Sequence, residues 1–107
     1  GVNEEYALSR MLAVPREDFL PADKAAQAYI DRAVSLGEQG HLAAPLFYGK
    51  LLLEAAPAPT DRVLVVSGGT GYLAALIAPL VGTVTQVSAA EAADLTGAGE
   101  YDLVVID

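Results

Sequence analysis

Apolar residues run unbroken through Val63-Leu64-Val65-Val66, stop at Ser67-Gly68-Gly69-Thr70-Gly71, and resume as an apolar pattern of helical length up to Val81. A strand buried on both faces of a parallel sheet reads as continuous Val and Leu rather than as alternation. Strand, glycine turn and helix in succession form the first half of a βαβ nucleotide-binding unit. The glycines let the backbone turn sharply and approach a ligand closely. The helix start behind them offers free N–H groups to an anion. Pro79 falls inside that helix and removes a backbone donor, which predicts an end or a kink near Ala78. Val81–Val87 reads as a second strand, Ser88–Leu95 as a short alanine-rich helix, and Tyr101–Ile106 as a third strand.

Upstream, the pattern is helical and broken. Asn3-Glu4-Glu5 looks like a capped helix start, with Leu8, Met11 and Leu12 at helical spacing and Val14-Pro15 as the stop. The spacing predicts a helix over residues 4 to 13. An irregular stretch lies between Pro15 and Pro21, and a short helix is expected from Ala22 to Ala28. Tyr29–Val34 reads as extended, and Gly37–His41 as a loop. Ala44-Pro45 opens another helix, with proline at its first position and Gly49 inside it, ending near Ala56.

Length and charge narrow the possibilities. The 107 residues suffice for one small domain, 1–107, divided into an N-terminal helical region over 1–57 and a Rossmann-like core over 58–107. Hydrophobic residues make up 53%, much of it alanine, and no run reaches the ~18 uncharged apolar residues of a membrane helix. The net charge of −8, with six Lys plus Arg scattered singly, leaves no basic patch for a nucleic acid. With no cysteine, there is no disulfide, Cys-based metal site or thiol nucleophile. A cytoplasmic location is the simplest expectation for a chain without cysteine.

The segments in combination resemble the protein-L-isoaspartate O-methyltransferase family. The matching pieces are Ala13-Val14-Pro15-Arg16-Glu17 with Phe19 and Pro21, Ala28-Tyr29 with Asp31, Leu36-Gly37, and Leu42-Ala43-Ala44-Pro45. Asp61-Arg62-Val63-Leu64 then leads into Gly69-Thr70-Gly71-Tyr72, and Tyr101-Asp102 opens the last strand. The Val-Pro-Arg-Glu element is the more specific signal, because many methyltransferase families share the glycine turn. The resemblance implies a Rossmann-like α/β fold, here truncated to about three parallel strands with the glycine strand in the middle. It implies S-adenosylmethionine as methyl donor, no metal, and isoaspartyl carboxylates of damaged proteins as substrates. Unpaired sheet edges predict a homodimer, strand exchange or a cut from a longer protein.

By the same resemblance, the cofactor would contact Ser67, Gly68, Gly69, Thr70, Gly71, Tyr72, Ser88 and Asp107. The site is nevertheless degenerate. Val65 replaces an acid common within the glycine strand, and Ser67 replaces the first glycine of the turn. Ser88 replaces the acid that accepts the ribose hydroxyls, with Glu91 three residues late, and Ala43 stands where the family has a hydroxyl near the substrate. The acid addressing the adenine has no counterpart. No catalytic residue is assigned, and His41, the sole histidine, is a weak acid–base candidate and otherwise a solvated loop residue. Structural readings stand beside the functional ones. The glycine turn either cradles a cofactor or only packs strand on helix, and Tyr72 either shields a ligand or covers the helix start. Arg16 reads as a structural ion pair or helix cap, Asp102 as the residue before a strand, and Glu91 with Asp94 as a solvated face. The alternative to an enzyme is an inactive family member acting as a dimeric binding module.

Overall fold

In the computed structural model, which describes residues 4–29, 32–93 and 101–107, the continuous Val/Leu run forms the central strand of a parallel sheet. Helix α1 spans Glu4–Ala13, and 3-10 turns follow at Arg16–Phe19 and Ala22–Gln27. A two-residue pair, β1 (Val34–Ser35) and β2 (His41–Leu42), brackets a third 3-10 turn at Gly37–Gln39. Helix α2 (Pro45–Ala55) leads to β3 (Arg62–Val66), then α3 (Tyr72–Ile77), a 3-10 turn at Ala78–Leu80 and β4 (Thr83–Val87). The short α4 (Ala89–Ala93) and β5 (Leu103–Ile106) complete the order.

The sheet order is β4–β3–β5, with both pairings parallel. Val63, Leu64, Val65 and Val66 of β3 are all buried, as a strand with a neighbour on each side requires. The edge strands are more open: Val104 and Ile106 of β5 are 46% and 64% exposed. Pro79 acts as its missing N–H dictates, since α3 ends at Ile77 and the chain continues as a 3-10 turn. Proline opens α2, which ends on Ala56 in the left-handed region at φ 42°, a conformation that glycine adopts without strain.

One apolar core joins the N-terminal helices to the sheet. Ala7 of α1, Val34, Leu42, Tyr48 and Leu52 pack in the same cluster as Val63, Val65, Leu73, Leu76, Ile77 and Val105. Each fully buried aliphatic side chain contributes about 1.5–3 kcal/mol. Both regions therefore depend on a shared interior.

Two upstream expectations are corrected. Extended structure begins only at Val34, because Tyr29 lies in a turn held by its hydroxyl, which donates to Glu17 Oε2 at 2.5 Å. Ile30 and Asp31 lie outside the described residues. Gly37–His41 is not a plain loop: Gly37 and Gly40 at positive φ fold a 3-10 turn that returns the chain, pairing Val34 with Leu42 and Ser35 with His41 antiparallel. The expected cap at Asn3 and the last residues of the Ser88–Leu95 helix, Asp94 included, lie outside the described residues.

Candidate functional site

The carboxyl ends of β3, β4 and β5 converge on the glycine turn, where ligands approach an open α/β sheet. Backbone bonds hold the ends in register. Ser67 N–H donates to Val87 O at 2.8 Å, and Asp107 N–H to Val66 O at 2.9 Å. Gly69 and Gly71 sit at φ 111° and 77°, which side chains disfavour, so the glycines are required by the turn itself. A Cβ on Gly71 would meet only Gln86 Oε1, at 3.7 Å, so there is room in front of it.

The turn satisfies several of its own donors. Ser67 Oγ accepts from Gly69 N–H at 2.9 Å, and Thr70 Oγ1 from Tyr72 N–H at 3.2 Å. The β2 segment closes over its start. Gly40 lies so close to the Gly68 carbonyl that a Cβ there would be 1.9 Å from the oxygen, and His41 N–H donates to that oxygen at 2.9 Å. The front of Gly68 is filled as well: a Cβ there would be 2.9 Å from His41 Cε1 and 3.0 Å from Asp107 Cγ.

Asp107 is the electrostatic centre of this end. Its side chain is 1% exposed, and burial pushes its carboxyl above the usual range. The Tyr48 hydroxyl, which donates to Oδ1 at 2.8 Å, and His41 nearby act in the opposite direction. His41 Nε2 stands 3.7 Å from Asp107 Oδ1, with the imidazole side chain 43% exposed. The solvated-loop reading of His41 is therefore replaced by a position on β2 against the turn. Tyr48 also accepts the Ala43 N–H at 3.1 Å, and burial raises its phenol far above the ordinary value.

Arg16 ties the surrounding segments together. It is 1% exposed, donating from Nε to Ala28 O and from Nη2 to Ala43 O at 3.0 Å. Its guanidinium carbon lies 6.0 Å and 5.5 Å from the ring centroids of Tyr48 and Tyr72. Carbonyls and rings, rather than the expected ion pair or helix cap, hold this cation. Tyr72 is fully buried, packed edge-on against Phe19 and Tyr48 at 5.4 and 4.8 Å. Asp102 carries the β5 side of the sheet's opposite end. It accepts from Arg62 N–H at 2.8 Å and from the Arg62 guanidinium, which holds its carboxyl below the usual range.

At the end of β4, Ser88 and Glu91 form a capping box. Glu91 N–H donates to Ser88 Oγ at 3.1 Å, and Ser88 N–H donates to Glu91 Oε1 at 3.0 Å. Glu91 is exposed on α4, as the solvated-face reading expects, and its carboxylate also reaches back to the strand end, where these bonds hold it low. The structure brings together Ser67, Gly68, Gly69, Thr70, Gly71, His41 and Asp107. It places Ser88 at the neighbouring strand end, and Ala43 behind, bonded to Tyr48 and Arg16. Sequence reasoning missed Tyr48, which reads there as one more apolar helix position. It also missed the depth of Arg16, for which the only signal is its place in the Val-Pro-Arg-Glu element. Among the described residues, no group of three or more His, Asp or Glu is placed to hold a metal. No helix among them is long and apolar enough to cross a membrane.

A parallel sheet whose middle strand runs through a two-glycine turn into a helix, with polar residues at the neighbouring strand ends, is the Rossmann-like methyltransferase fold. Residues 1–102 match the family model of protein-L-isoaspartate(D-aspartate) O-methyltransferase. The chain belongs to that family. A Roseiflexus castenholzii protein-L-isoaspartate O-methyltransferase is 33% identical over 99% of this chain and 51% of its own length. An Aeropyrum pernix protein of the same name is 37% identical over 84% of this chain and 35% of its own. One from Methanoregula boonei is 31% identical over 100% of this chain and 52% of its own. The chain spans about half, or less, of the length of these curated relatives.

The family uses S-adenosylmethionine, and the turn fits such a group unevenly. Gly69 and Gly71 have the required backbone and Gly71 has the room, whereas Gly68 is covered by the chain's own His41 and Asp107.

Proposed function

We propose that this chain serves methyl transfer from S-adenosylmethionine to the carboxylate of isoaspartyl residues in damaged proteins. The observation that carries the reading is the turn itself. Gly69 and Gly71 hold positive φ at the carboxyl end of the central strand, with Ser88 and Asp107 at the ends of its neighbours. When bound, the cofactor supplies an activated methyl on a sulfonium, so the protein's part is positioning. Ser67, Gly68, Gly69, Thr70 and Gly71 would border its amino-acid end, and Ser88 would face the ribose. Tyr72 would act from beneath by fixing the start of α3 through its packing on Phe19 and Tyr48. No side chain is assigned as acid or base, because a carboxylate is already a nucleophile.

Affinity is expected to be low. Each missing charge-assisted hydrogen bond weakens binding by roughly 1.5–3 kcal/mol. Two such losses turn a micromolar site into a roughly millimolar one. Calorimetry with S-adenosylmethionine and with its demethylated product, together with methyl incorporation into an isoaspartyl peptide, tests the reading. Heat at millimolar ligand with slow methylation is expected, and no heat with no thermal shift would refute it.

A second reading has its own support. The internally satisfied turn and the covered Gly68 suit an inactive member acting as a dimeric binding module. The open β5 edge favours self-association: Val104 and Ile106 are exposed beside a cavity of about 330 Å³ lined by Leu51, Glu54 and Ala55. Light scattering after size exclusion tests this, with a stable monomer counting against it. Under either reading we place the chain in the cytoplasm, as one domain over 1–107 without metal, nucleic-acid or membrane partners.

A further inference from the structure

We infer that His41 is a gate on the glycine turn, whose imidazole must swing away before a ligand can reach Gly68. The inference rests on the proposed cofactor reading and deepens it. Three observations carry it. The imidazole lies directly over Gly68, since a Cβ on Gly68 would be 2.9 Å from His41 Cε1 and 3.1 Å from Nε2. Nothing polar clamps the ring, because its only ion-pair neighbour among the described residues is Asp107 Oδ1 at 3.7 Å, beyond hydrogen-bond length. The side chain is 43% exposed, so a path towards solvent is open.

The backbone beneath it cannot follow. His41 N–H is bonded to Gly68 O at 2.9 Å, and Gly40 is pressed on the same carbonyl at φ 110°. The moving part is therefore the side chain alone, turning about its own χ angles. Asp107, which flanks the same position on Gly68 beside the imidazole, does not serve as the gate. Its carboxylate is 1% exposed and held by the Tyr48 hydroxyl at 2.8 Å.

A ligand that needs a minor open state binds more weakly by the fraction open. A gate closed nine-tenths of the time weakens binding about tenfold. His41→Ala removes the ring and leaves the N–H bond to Gly68 intact. S-adenosylhomocysteine titrated into the wild-type chain and into His41→Ala should bind the variant about tenfold tighter. The wild-type chain gives a second measurement independent of that substitution. His41 is the sole histidine, so its ring protons are a unique NMR signal. They should shift at the same ligand concentration as the Gly69 and Gly71 amides. Equal affinities, or glycine amides that shift while the ring signal stays, would overturn the gate and leave the cofactor reading standing. No binding by either protein at millimolar ligand would overturn the cofactor reading and the gate with it.

Discussion

Replacing Arg16 with methionine tests whether one buried cation holds the site's supports together. Methionine preserves much of the volume and removes both the charge and the donors. Two buried carbonyls, of Ala28 and Ala43, then lose their partners. Each orphaned buried acceptor costs about 1–3 kcal/mol, so the pair costs about 2–6. Loss of the ring contacts with Tyr48 and Tyr72 adds about 1 kcal/mol. Against this stands relief of the cation's desolvation, which amounts to several kcal/mol for a buried ion. The net expectation is a loss of about 2–4 kcal/mol, because breaking a buried polar arrangement from one side usually outweighs the relief. A domain of this size loses about 4 °C or more of Tm per kcal/mol, so a fall of about 8–16 °C should be seen. Urea titration gives the free energy directly and shows whether the slope is preserved. Arg16→Lys sharpens the result, since an ammonium keeps the charge but cannot span both carbonyls as a planar fork does. It should lose nearly as much as methionine. A methionine variant within about 0.5 kcal/mol of wild type, the range of ordinary surface changes, would refute the reasoning.

Four further outcomes follow from the geometry. Ala56→Gly should raise stability by about 1 kcal/mol, read by urea titration, because an exposed alanine at φ 42° is strained where glycine is not. Gly71→Ala should cost about 1–2 kcal/mol, since φ 77° disfavours any Cβ although the space is free. Tyr48→Phe should cost about 2–4 kcal/mol, by leaving the Ala43 N–H without an acceptor and the Asp107 carboxylate without its phenolic donor. Asp107→Asn should stabilise at neutral pH. Burial raises the folded carboxyl above its unfolded value, so the folded state binds the proton more tightly, and ionisation costs stability as pH rises from about 3.9 through the folded value. The gain should fade when thermal melts are repeated below that range, and a gain independent of pH would contradict the cause assigned.

Much of the sheet was legible because its signals are local. The uninterrupted Val63–Val66 run specifies a strand buried on both faces, and Pro79 dictates the end of α3. The antiparallel pair at Val34 and Leu42 was not legible. Two-residue strands carry no periodicity, and their partners meet only because Gly37 and Gly40 take positive φ. The glycine turn was legible as a turn, but the contacts around it were not. His41 sits in a polar glycine stretch that reads as solvated, yet Gly40 packs on the Gly68 carbonyl and carries the imidazole onto the turn. Arg16 shows the reverse error: a charge in sequence suggests a surface, whereas here carbonyls and aromatic faces pay its desolvation. Glu91 is exposed as its sequence suggests, but its reach back to Ser88 was not legible, because it depends on a helix starting at Ala89.

These contacts bear on what the substitutions at the site have done. The residues that the family resemblance marks as departures, Val65, Ser67, Ser88 and Ala43, each have a structural role in this fold. Val65 is a fully buried core residue, as a carboxylate there could be only with compensation. Ser67 and Ser88 now serve local backbone donors, closing the turn at Gly69 and capping the helix at Glu91. Ala43 contributes its backbone to Tyr48 and Arg16, neither of which needs a hydroxyl there. Each of these residues is therefore occupied by the scaffold in the contacts it makes. Stability and ligand affinity should then separate experimentally. Restoring an acid with Ser88→Asp keeps an N-cap of equal rank and should leave the melting temperature nearly unchanged. The same change should tighten S-adenosylhomocysteine, since a carboxylate accepts ribose hydroxyls with about twice the strength of a neutral acceptor. A variant that melts as wild type does and binds no better would place the weakness of the site elsewhere, at the covered face of Gly68.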